Sequence, residues 1–452
     1  MGWQQTNSLR TTYLNNDMTS LTQDLVQLIR QKPVTHDDLK KATLFLLDAV
    51  ANGTAGKNSV AGNILSRWAR AQGDDSGRHA FLFSALAHIQ EMDDLHRSSV
   101  THPGCVVVPA ALAVGLREMS SGHEILMSIL HGYEAMCRIG MAVGNSHYRI
   151  WHNTSTCGPY GSAMAAATLN HLTHAQSVHA LGNAGTQSSG FWQFNQTGAM
   201  SKHLHAGRAA EAGVIATDLA KLDFTGPTHI LEGSQGFFMG ACPDAMPEVV
   251  LKNPLDPWKL TLTSMKPWPS CRHTHAAIDA ALALHQKIDG QRMKRVKVSV
   301  YQTALDVCNQ PNPLTDYQAK FSLHHCVAAA LSYGEIDFSS FDEYHRERLA
   351  GLRDRVTVTV EEPYSSAYPD HYWGANVTVT MDDGIVLEEV RYACKGDPEA
   401  ALTDDEIMAK AAMLMNQGGM EQASAKTLIN AILKLVDNHV EAETFEKLFL
   451  TQ

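Results

Sequence analysis

The chain has 452 residues, 44% of them hydrophobic, and its formal net charge is -11 at pH 7. This length indicates roughly two or three domains and is enough for a full apolar core. The acidic excess argues against nucleic acid or a membrane surface as a partner, because both bind basic protein faces. An anionic ligand would need a local basic cluster.

Cysteine spacing and the lack of a long apolar run indicate a cytoplasmic protein. The eight cysteines form no CxxC pair, as expected of free thiols in a reducing compartment. The N-terminus has no apolar segment of the signal-peptide kind. The longest apolar run, residues 106–116, contains Pro109 and is far shorter than the ~20 residues of a membrane span.

Helical periodicity dominates after a short N-terminal tail at residues 1–17. Apolar residues recur three and four positions apart, which predicts helices, over residues 17–31, 36–53, 79–92, 124–144 and 162–172. Because Ala and Gly are frequent, these helices can pack closely. We expect a helical domain over residues 18–260.

Three polar segments lie in this helical part. In the first, Asp93, Asp94 and His96 close a predicted helix, and His102 precedes the breaker Pro103-Gly104. A solvated acidic helix end explains these residues as well as a site does.

The second segment is a polar loop from Tyr148 to Gly158, ahead of a helix of small residues. Such a loop lets a ligand approach backbone N–H groups, although His152 by itself is better explained as a hydrogen-bonded loop histidine.

The third segment begins at Lys202. At helical spacing Lys202 and His205 share a face, and Arg208 follows among alanines and glycines. A cation beside small residues predicts a buried helix that presents a charge to a cavity. The alternative is a solvated basic face.

A fourth polar segment, residues 266–275, joins Lys266, Cys271, Arg272 and His275 to two prolines. The helix predicted after it places these groups near a helix N-terminus, which attracts anions and lowers thiol pKa values. The alternative is a structural elbow with solvated bases.

Beyond residue 260 the apolar residues recur at every second position instead of every third or fourth. Polar and β-branched residues alternate over residues 295–301, 355–361 and 376–381, and a hairpin signal leads into 386–392. Helical patterns return after Pro398, with an acidic first turn at 404–406 and a closing helix at 431–449. We predict a mainly α protein with an α+β domain at 261–397, inserted before C-terminal helices at 398–452 that return to the helical domain.

The four segments together suit acid–base chemistry on a small polyanionic substrate, with cations on carboxylates and histidine or tyrosine moving protons. The sequence lacks GxxxxGK[ST], GxGxxG after a strand, and HExxH. The pairs His203/His205 and His273/His275 point apart on a helix, so we expect no metal site. We also expect no cofactor.

The chain resembles the MmgE/PrpD family across nearly its whole length. The matching features, in order, are Asp93-Asp94 with Thr101-His102-Pro103-Gly104, the loop from Trp151-His152 to Gly158, Gly185-Thr186-Gln187, the segment from Lys202 and His205 to Arg208-Ala209-Ala210, and Lys266-Pro267-Trp268-Pro269-Ser270-Cys271. The resemblance implies an active site between the two domains, a metal-independent enzyme of small di- or tricarboxylates, and a homodimer.

By position, the resemblance implies that His102, His152, Lys202 and Lys266 line the pocket with Asp93-Asp94 beside them. Two places differ from the family pattern. Glu91 and Leu95 stand where the family has Asp and Thr or Ser. Cys271 resembles the epimerase members, whereas dehydratases and decarboxylases have histidine there.

The first functional hypothesis is a cofactor-free lyase that eliminates water from a hydroxy di- or tricarboxylate. In it, His102 or His152 takes the α-proton, the other protonates the departing oxygen, and the two lysines hold carboxylates. Alternatives are a decarboxylase, an epimerase of an iminodisuccinate-like acid with Tyr148 and Cys271 as two bases, and a non-catalytic carboxylate-binding protein. We expect the substrate-binding residues to be Asp93, Asp94, His96, His205, Arg208, Arg272 and His275.

Overall fold

The computed structural model describes residues 20–71, 73, 75–288, 292–369 and 371–437. The predicted tail at 1–17 lies outside these ranges, as does the larger part of the closing helix predicted at 431–449. Within them, no helix combines the length and the apolarity needed to cross a bilayer.

Among the described residues up to position 260 the regular elements are helices, as predicted. The α-helices are α1 (Leu21–Gln31), α2 (His36–Gly56), α3 (Val60–Arg70), α4 (Ser76–Ala87), α5 (Gly104–Arg117), α6 (Gly122–Ala142), α7 (Asn145–Tyr148), α8 (Asn153–Leu169), α9 (His174–Gly185), α10 (Phe194–Thr197), α11 (Ser201–Lys221) and α12 (Phe237–Ala241). Short 3₁₀ turns follow at Pro247–Leu251 and Lys259–Leu262. Capping boxes begin α2 and α6, where Thr35 and Ser121 bond reciprocally with acidic residues.

Helix α8 lies at the centre of this domain, packed against α5, α6, α9 and α11. Almost all its residues are buried, so it is apolar or small on every side. Its contact with α11 is very close, because a Cβ at Gly213 would lie 2.0 Å from Ser162 Oγ. The small residues noted in both segments therefore let these helices approach each other.

The second part of the chain contains a mixed sheet covered by helices. Its elements are the 3₁₀ turn Arg272–Thr274, α13 (His275–His285), β1 (Met293–Val300), α14 (Gln302–Cys308), α15 (Asp316–Lys320), α16 (Leu323–Tyr333), the 3₁₀ turn Ser339–Phe341, α17 (Glu343–Arg348), α18 (Ala350–Arg353), β2 (Val356–Val360), α19 (Tyr364–Ala367), β3 (Ala375–Met381) and β4 (Val386–Arg391). The strand order is β2-β1-β3-β4, with β1 parallel to β2 and antiparallel to β3. Val298 pairs with Val358 and Val377, and all strand predictions are confirmed.

The chain then returns to the first domain through a 3₁₀ turn at Pro398–Ala400, α20 (Asp404–Gln417), α21 (Gln422–Leu433) and a 3₁₀ turn at Lys434–Val436. Their apolar residues, among them Ile407, Leu414 and Ile432, belong to the core that α2, α5, α6 and α8 form. The mainly α fold with a smaller α+β part is confirmed, as is the acidic first turn of α20. The boundaries at 260 and 397 stay predictions.

Helix ends were the least accurate predictions. The helix predicted over 79–92 ends at Ala87, and the one predicted over 162–172 begins at Asn153. A helix cannot continue through Glu91, whose φ is 59°. Polar side chains after Ala87 make contacts with distant residues instead: Gln90 bonds to Ala55 O, and Glu91 bonds to Lys202.

Candidate active site

The loop between α4 and α5 pairs with the segment that carries Lys266. Leu95 N–H donates to Ser264 O, and Ser264 N–H donates to Leu95 O, both at 2.8 Å. In an antiparallel pair the next opposed residues on the same face are two positions back on one segment and two positions on along the other. This short bridge therefore sets Lys266 opposite Asp93.

Two carboxylates and two lysines converge in the interior. Lys202 Nζ donates to Glu91 Oε1 at 2.5 Å. Lys266 Nζ lies 3.5 Å from Asp93 Oδ1 and 3.8 Å from Glu91 Oε2. All four side chains are at most 2% exposed, so the cluster is shielded from water.

The Lys266 ammonium makes no hydrogen bond with any described residue. Its two carboxylate neighbours are beyond hydrogen-bond distance, although the side chain is fully buried. A buried ammonium with unsatisfied donors is costly. Its three donors are therefore available to a ligand.

The cluster is ionised. Burial would raise the pKa of Glu91, but Lys202 and Lys266 lower it to about 2. Burial likewise opposes ionisation of Asp93, yet His88, His102 and Lys266 hold its pKa well below the usual range. Burial lowers the pKa of Lys202, but Glu91 and Asp93 raise it above the ordinary value.

Two histidines bind the Asp93 carboxylate. His88 Nδ1 lies 2.6 Å and His102 Nδ1 lies 3.3 Å from Asp93 Oδ2. His102 Nδ1 also lies 2.7 Å from the carbonyl oxygen of Asp94. A carbonyl only accepts, so Nδ1 carries the proton and Nε2 keeps its lone pair. Burial lowers the pKa of His102 to about 4, so the ring is neutral at pH 7.

His152 is the N-cap residue of α8, and at this position its ring lies beside the same cluster. It stacks on His88 with 5.6 Å between ring centroids, and His205 lies 5.7 Å away on the other side. Burial, with His88 and Lys202, lowers the pKa of His152 well below its usual value. The ring is neutral, which makes it a weak proton donor.

Tyr148 reaches from α7 to the core of the second domain, which includes Cys271. Its ring contacts Trp192 at a centroid distance of 5.1 Å. Burial, Tyr368 and Cys271 raise the pKa of Tyr148 well above its usual value, so the phenol is protonated.

The Cys271 thiol lies where the two domains meet. Burial and the charge of Glu91 raise its pKa, but a hydrogen bond from Cys308, the charge of Lys202 and the N–H of His273 outweigh them and lower it below the usual value. Its own N–H donates to Lys320 O at 2.9 Å. The environment therefore favours the reactive thiolate more than plain burial would.

Helix α15 adds groups from the second domain. Tyr317 Oη lies 3.4 Å from Glu91 Oε1, and Lys320 Nζ donates to Gln90 O at 3.1 Å. Burial lowers the pKa of Lys320 to about 8. The cluster is thus built from both domains.

Asp94 faces away from the lysines. It accepts from Gly104 N–H at 2.8 Å and from Tyr133 Oη at 2.7 Å. A Cβ at Gly104 would lie 2.8 Å from both groups, which explains glycine after Pro103. Burial raises the pKa of Asp94 to about 8, so this carboxyl is largely protonated at pH 7.

The structure does not bring His96 or Arg208 to the cluster. His96 Nδ1 bonds Ser99 Oγ at 2.8 Å in the loop. Arg208 pairs with Glu211 and is 55% exposed. Six residues along a helix are about 240° round its axis, so Arg208 cannot share the face of Lys202.

Arg272 and His275 have partners behind the site. Arg272 Nη2 lies 2.7 Å from both oxygens of Asp397. His275 Nε2 lies 3.2 Å from Ser270 O. The Arg272–Asp397 contact ties the segment after Lys266 to the start of the C-terminal return, whereas the His275 contact stays within that segment. A direct substrate contact by either residue stays a prediction.

Sequence reasoning missed His88, Tyr317, Lys320 and Lys410. His88 fell within a predicted helix, and its only signal was its position shortly before the acidic run. The other three lie on segments far along the chain with no unusual composition. Their proximity is a product of tertiary structure alone.

Lys410 supports the loop from the C-terminal return. Its Nζ donates to Met92 O at 2.7 Å and lies 2.5 Å from Asp48 Oδ1, both in the interior. Met92 separates Glu91 from Asp93, so this bond holds the backbone between the two site carboxylates.

Replacing Lys410 by Met is expected to lower the free energy of unfolding by about 3–5 kcal/mol, because Asp48 is left as an unpaired buried charge. Urea denaturation measures this. The double variant Asp48→Leu with Lys410→Met should regain most of the stability, whereas Lys426→Met on the exposed face of α21 should change nothing. A single variant as stable as the wild type would contradict the assignment.

One group of described side chains has atoms close enough to share a metal ion: His88, Asp93 and Cys105, within 4.8 Å of one another. Burial raises the pKa of Cys105 well above its usual value. In the absence of a metal the Cys105 thiol is therefore protonated, and binding would have to release its proton.

A cavity of about 800 Å³ lies elsewhere, between α2, α4, α5, α11 and the turn after α20. Its lining is mainly apolar and includes none of the cluster's residues. At the cluster itself the lysines and carboxylates face each other and are at most 2% exposed.

Comparison with known proteins agrees with this architecture. The model of the MmgE/PrpD N-terminal domain matches residues 23–249, and that of the C-terminal domain matches residues 268–435. The cis-aconitate decarboxylase-like protein oryM of Aspergillus oryzae is 25% identical over 84% of this chain and 87% of its own length. The human cis-aconitate decarboxylase is 24% identical over 80% of this chain and 76% of its own length. The chain belongs to the MmgE/PrpD family.

Proposed function

We propose that this protein is a cofactor-independent lyase that moves a proton α to a carboxylate of a small di- or tricarboxylic acid. Elimination of water from a hydroxy acid is the reaction we place first. The relatives named as cis-aconitate decarboxylases support a lyase of carboxylic acids.

The observation that carries the proposal is the buried Lys266 ammonium, which has no hydrogen bond among the described residues. With Lys202 it forms a cationic pair in a water-excluded interior. Such a pair binds a carboxylate and stabilises the negative charge that develops when the α-proton leaves.

His102 has the geometry of the general base. Its Nδ1–H is held by Asp94 O, which leaves Nε2 to take the α-proton. The imidazolium that forms is stabilised by the Asp93 carboxylate 3.3 Å away. As the C–O bond breaks and the double bond forms, the same imidazolium can return its proton to the leaving oxygen, which departs as water. The neutral state of His152 makes it a binding group rather than the acid.

Epimerisation is the second candidate, and the lowered pKa of Cys271 favours it. A thiolate on one side of the substrate and the Tyr148 phenol on the other would remove and return the proton with nothing leaving. Replacing Cys271 by Ser would then stop exchange from one enantiomer only.

The test is proton NMR of the full chain in D₂O with 2-methylcitrate, citrate, cis-aconitate, malate and iminodisuccinate. We expect loss of an α-proton signal from one acid, with a new vinyl resonance for a lyase. His102→Asn, which can still donate to Asp94 O, should slow this by about 10²- to 10⁴-fold. The exposed His123→Asn is the matched control.

Exchange that persists in His102→Asn would contradict the assigned base. Proton exchange with neither a vinyl signal nor loss of CO₂ would favour an epimerase over a lyase. Binding of an acid with no exchange would favour the carboxylate-binding alternative.

A further inference from the structure

Lys266 and Asp93 face each other in the interior without a hydrogen bond. Lys266 Nζ lies 3.5 Å from Asp93 Oδ1, and neither atom has a hydrogen-bond partner among the described residues. Both side chains are at most 1% exposed. An ammonium and a carboxylate that bond directly are about 2.7–2.9 Å apart. Another contact therefore holds the carboxylate back from the ammonium.

His88 makes that contact. Its Nδ1 lies 2.6 Å from Asp93 Oδ2, closer to this carboxylate than His102 at 3.3 Å or Lys266 at 3.5 Å. An ionised carboxylate only accepts, so His88 Nδ1 carries the proton and donates it. The Nε2 atom of the same ring has no partner in the described part of the chain. Asp93 is thus the one hydrogen-bond partner that the structure describes for this ring.

Packing fixes the His88 ring in this orientation. The residue is the C-cap of α4 and is 0% exposed. Its ring meets His102 edge to face at a centroid distance of 4.9 Å and stacks on His152 at 5.6 Å. A side chain packed between two other rings in a dense interior keeps one orientation. His88 therefore holds Asp93 Oδ2 in a constant position.

The other two donors beside Asp93 differ in what they can offer. His102 has a single Nδ1 proton, which Asp94 O holds at 2.7 Å. Lys266 has three protons, and none is bonded to a described residue. If His88 no longer donated, the attraction between buried opposite charges would draw Asp93 onto Lys266. The ammonium would then be occupied before a substrate carboxylate arrives.

We propose that His88 is a positioning residue that keeps Lys266 free for the substrate by holding Asp93 away from it. The inference rests on the proposed function, in which the Lys266 ammonium binds a substrate carboxylate. Loss of the Nδ1 donor should weaken substrate binding, because the substrate has to displace Asp93. It should also lower kcat, because Asp93 moves away from His102, whose imidazolium it stabilises from 3.3 Å.

Isothermal titration calorimetry with succinate, an unreactive dicarboxylate, measures the affinity of the site. The KM of the acid that undergoes α-proton exchange measures it a second time. The amide nitrogen of Asn takes the place of His Nδ1, whereas the amide of Gln takes the place of Nε2. We expect His88→Ala and His88→Gln to bind succinate more weakly by about tenfold or more, the effect of one hydrogen bond to a charged group. His88→Asn should bind nearly as well as the wild type.

A double variant distinguishes positioning from lost packing. Asp93→Asn removes the charge that would occupy Lys266. Added to His88→Ala, it should improve succinate binding by about tenfold more than it does in the wild type, because the two sites are coupled. Turnover should stay low in the double variant, because His102 lacks the carboxylate beside it. A merely structural role of His88 predicts no such recovery.

The control is His131→Ala, which removes another buried imidazole, one whose Nδ1 lies 2.8 Å from Thr168 Oγ1. It should leave the affinity for succinate unchanged.

Three results would overturn the inference and leave the proposed function intact: wild-type affinity in His88→Gln, equal weakening in His88→Asn and His88→Gln, or an equal gain from Asp93→Asn with and without His88. The absence of succinate binding by the wild type, together with no α-proton exchange from any acid, would overturn both. The pair His88→Asn and His88→Gln decides the question even if His88→Ala does not fold.

Discussion

Replacing Lys266 by Met is expected to reduce turnover of the carboxylic acid by about 10²- to 10³-fold. Loss of one preorganised donor to a developing negative charge has an effect of this size. The effect should fall on kcat as well as KM, because Lys266 makes no hydrogen bond with any residue that the structure describes and its donors are free for the ligand. Steady-state kinetics of the full chain measures it.

The matched comparison is Lys202→Met, which should be as inactive but also less stable. It leaves Glu91 Oε1 without its partner at 2.5 Å, and breaking a buried pair costs about 3–5 kcal/mol. Lys266→Met breaks no hydrogen bond among the described residues, but it removes the cation that lies 3.5 Å from Asp93 and 3.8 Å from Glu91. Because these ion pairs are longer than the one at 2.5 Å, its free energy of unfolding should also fall, but by less. Lys41→Ala, on the exposed face of α2, is the neutral control. Lys266→Met with at least half of wild-type kcat would remove the central argument for the site.

Acidification from pH 7.5 to pH 4.5 is expected to lower the free energy of unfolding by several kcal/mol. Burial lowers the pKa of His96, His203 and His273 to about 3 and that of His102 and His131 to about 4. In the unfolded chain these groups titrate near 6.5.

The sign follows from proton binding. Between about pH 6.5 and 4 the unfolded chain binds more protons than the folded one, so stability is present above pH 6.5 and is lost as the pH falls. Each such histidine contributes about 1.4 kcal/mol per pH unit. Three carboxyls act in the opposite direction, because burial raises the pKa of Asp48 and Asp279 and raises that of Asp94 to about 8. The buried histidines outnumber them.

Urea denaturation at pH 7.5, 6.5, 5.5 and 4.5 measures how steeply the free energy of unfolding changes with pH. A variant of His325 tests a single site. This residue lies on α16, away from the lysine cluster, and burial lowers its pKa to about 4. His325→Gln should reduce the slope of the unfolding free energy against pH by the amount that corresponds to one bound proton, whatever its effect on stability at pH 7.5. The exposed His123→Gln should not change it. A flat profile between pH 7.5 and 5 would contradict the neutral state of the buried histidines.

Much of the fold was predictable because local periodicity reports which face of an element is buried. The strand at Ala375–Met381 alternates in burial as it does in sequence. In Met293–Val300 the valines are buried, as their spacing predicts, but Ser299 between them is buried as well. Helix ends were less accurate, since Ala87 is followed by polar side chains whose partners lie elsewhere in the chain.

The site was predictable in part. Lys202, Lys266, His102, His152 and Asp93 stood out as titratable groups in segments rich in small residues or proline, and the fold gathers them. Arg208 stood out equally, yet it lies on the exposed side of α11. Residue type alone does not say which side of a helix a charge occupies.

The amino-acid sequence by itself determined the helical and strand segments, the acidic balance and the four polar segments, because each depends on residues close together in the chain. Only the tertiary structure decided that Asp93 lies opposite Lys266, that Glu91 binds Lys202, and that Lys410 holds the loop between them. These contacts join residues more than a hundred positions apart. Their partners are selected by packing and by the need to neutralise buried charges, which no local pattern records.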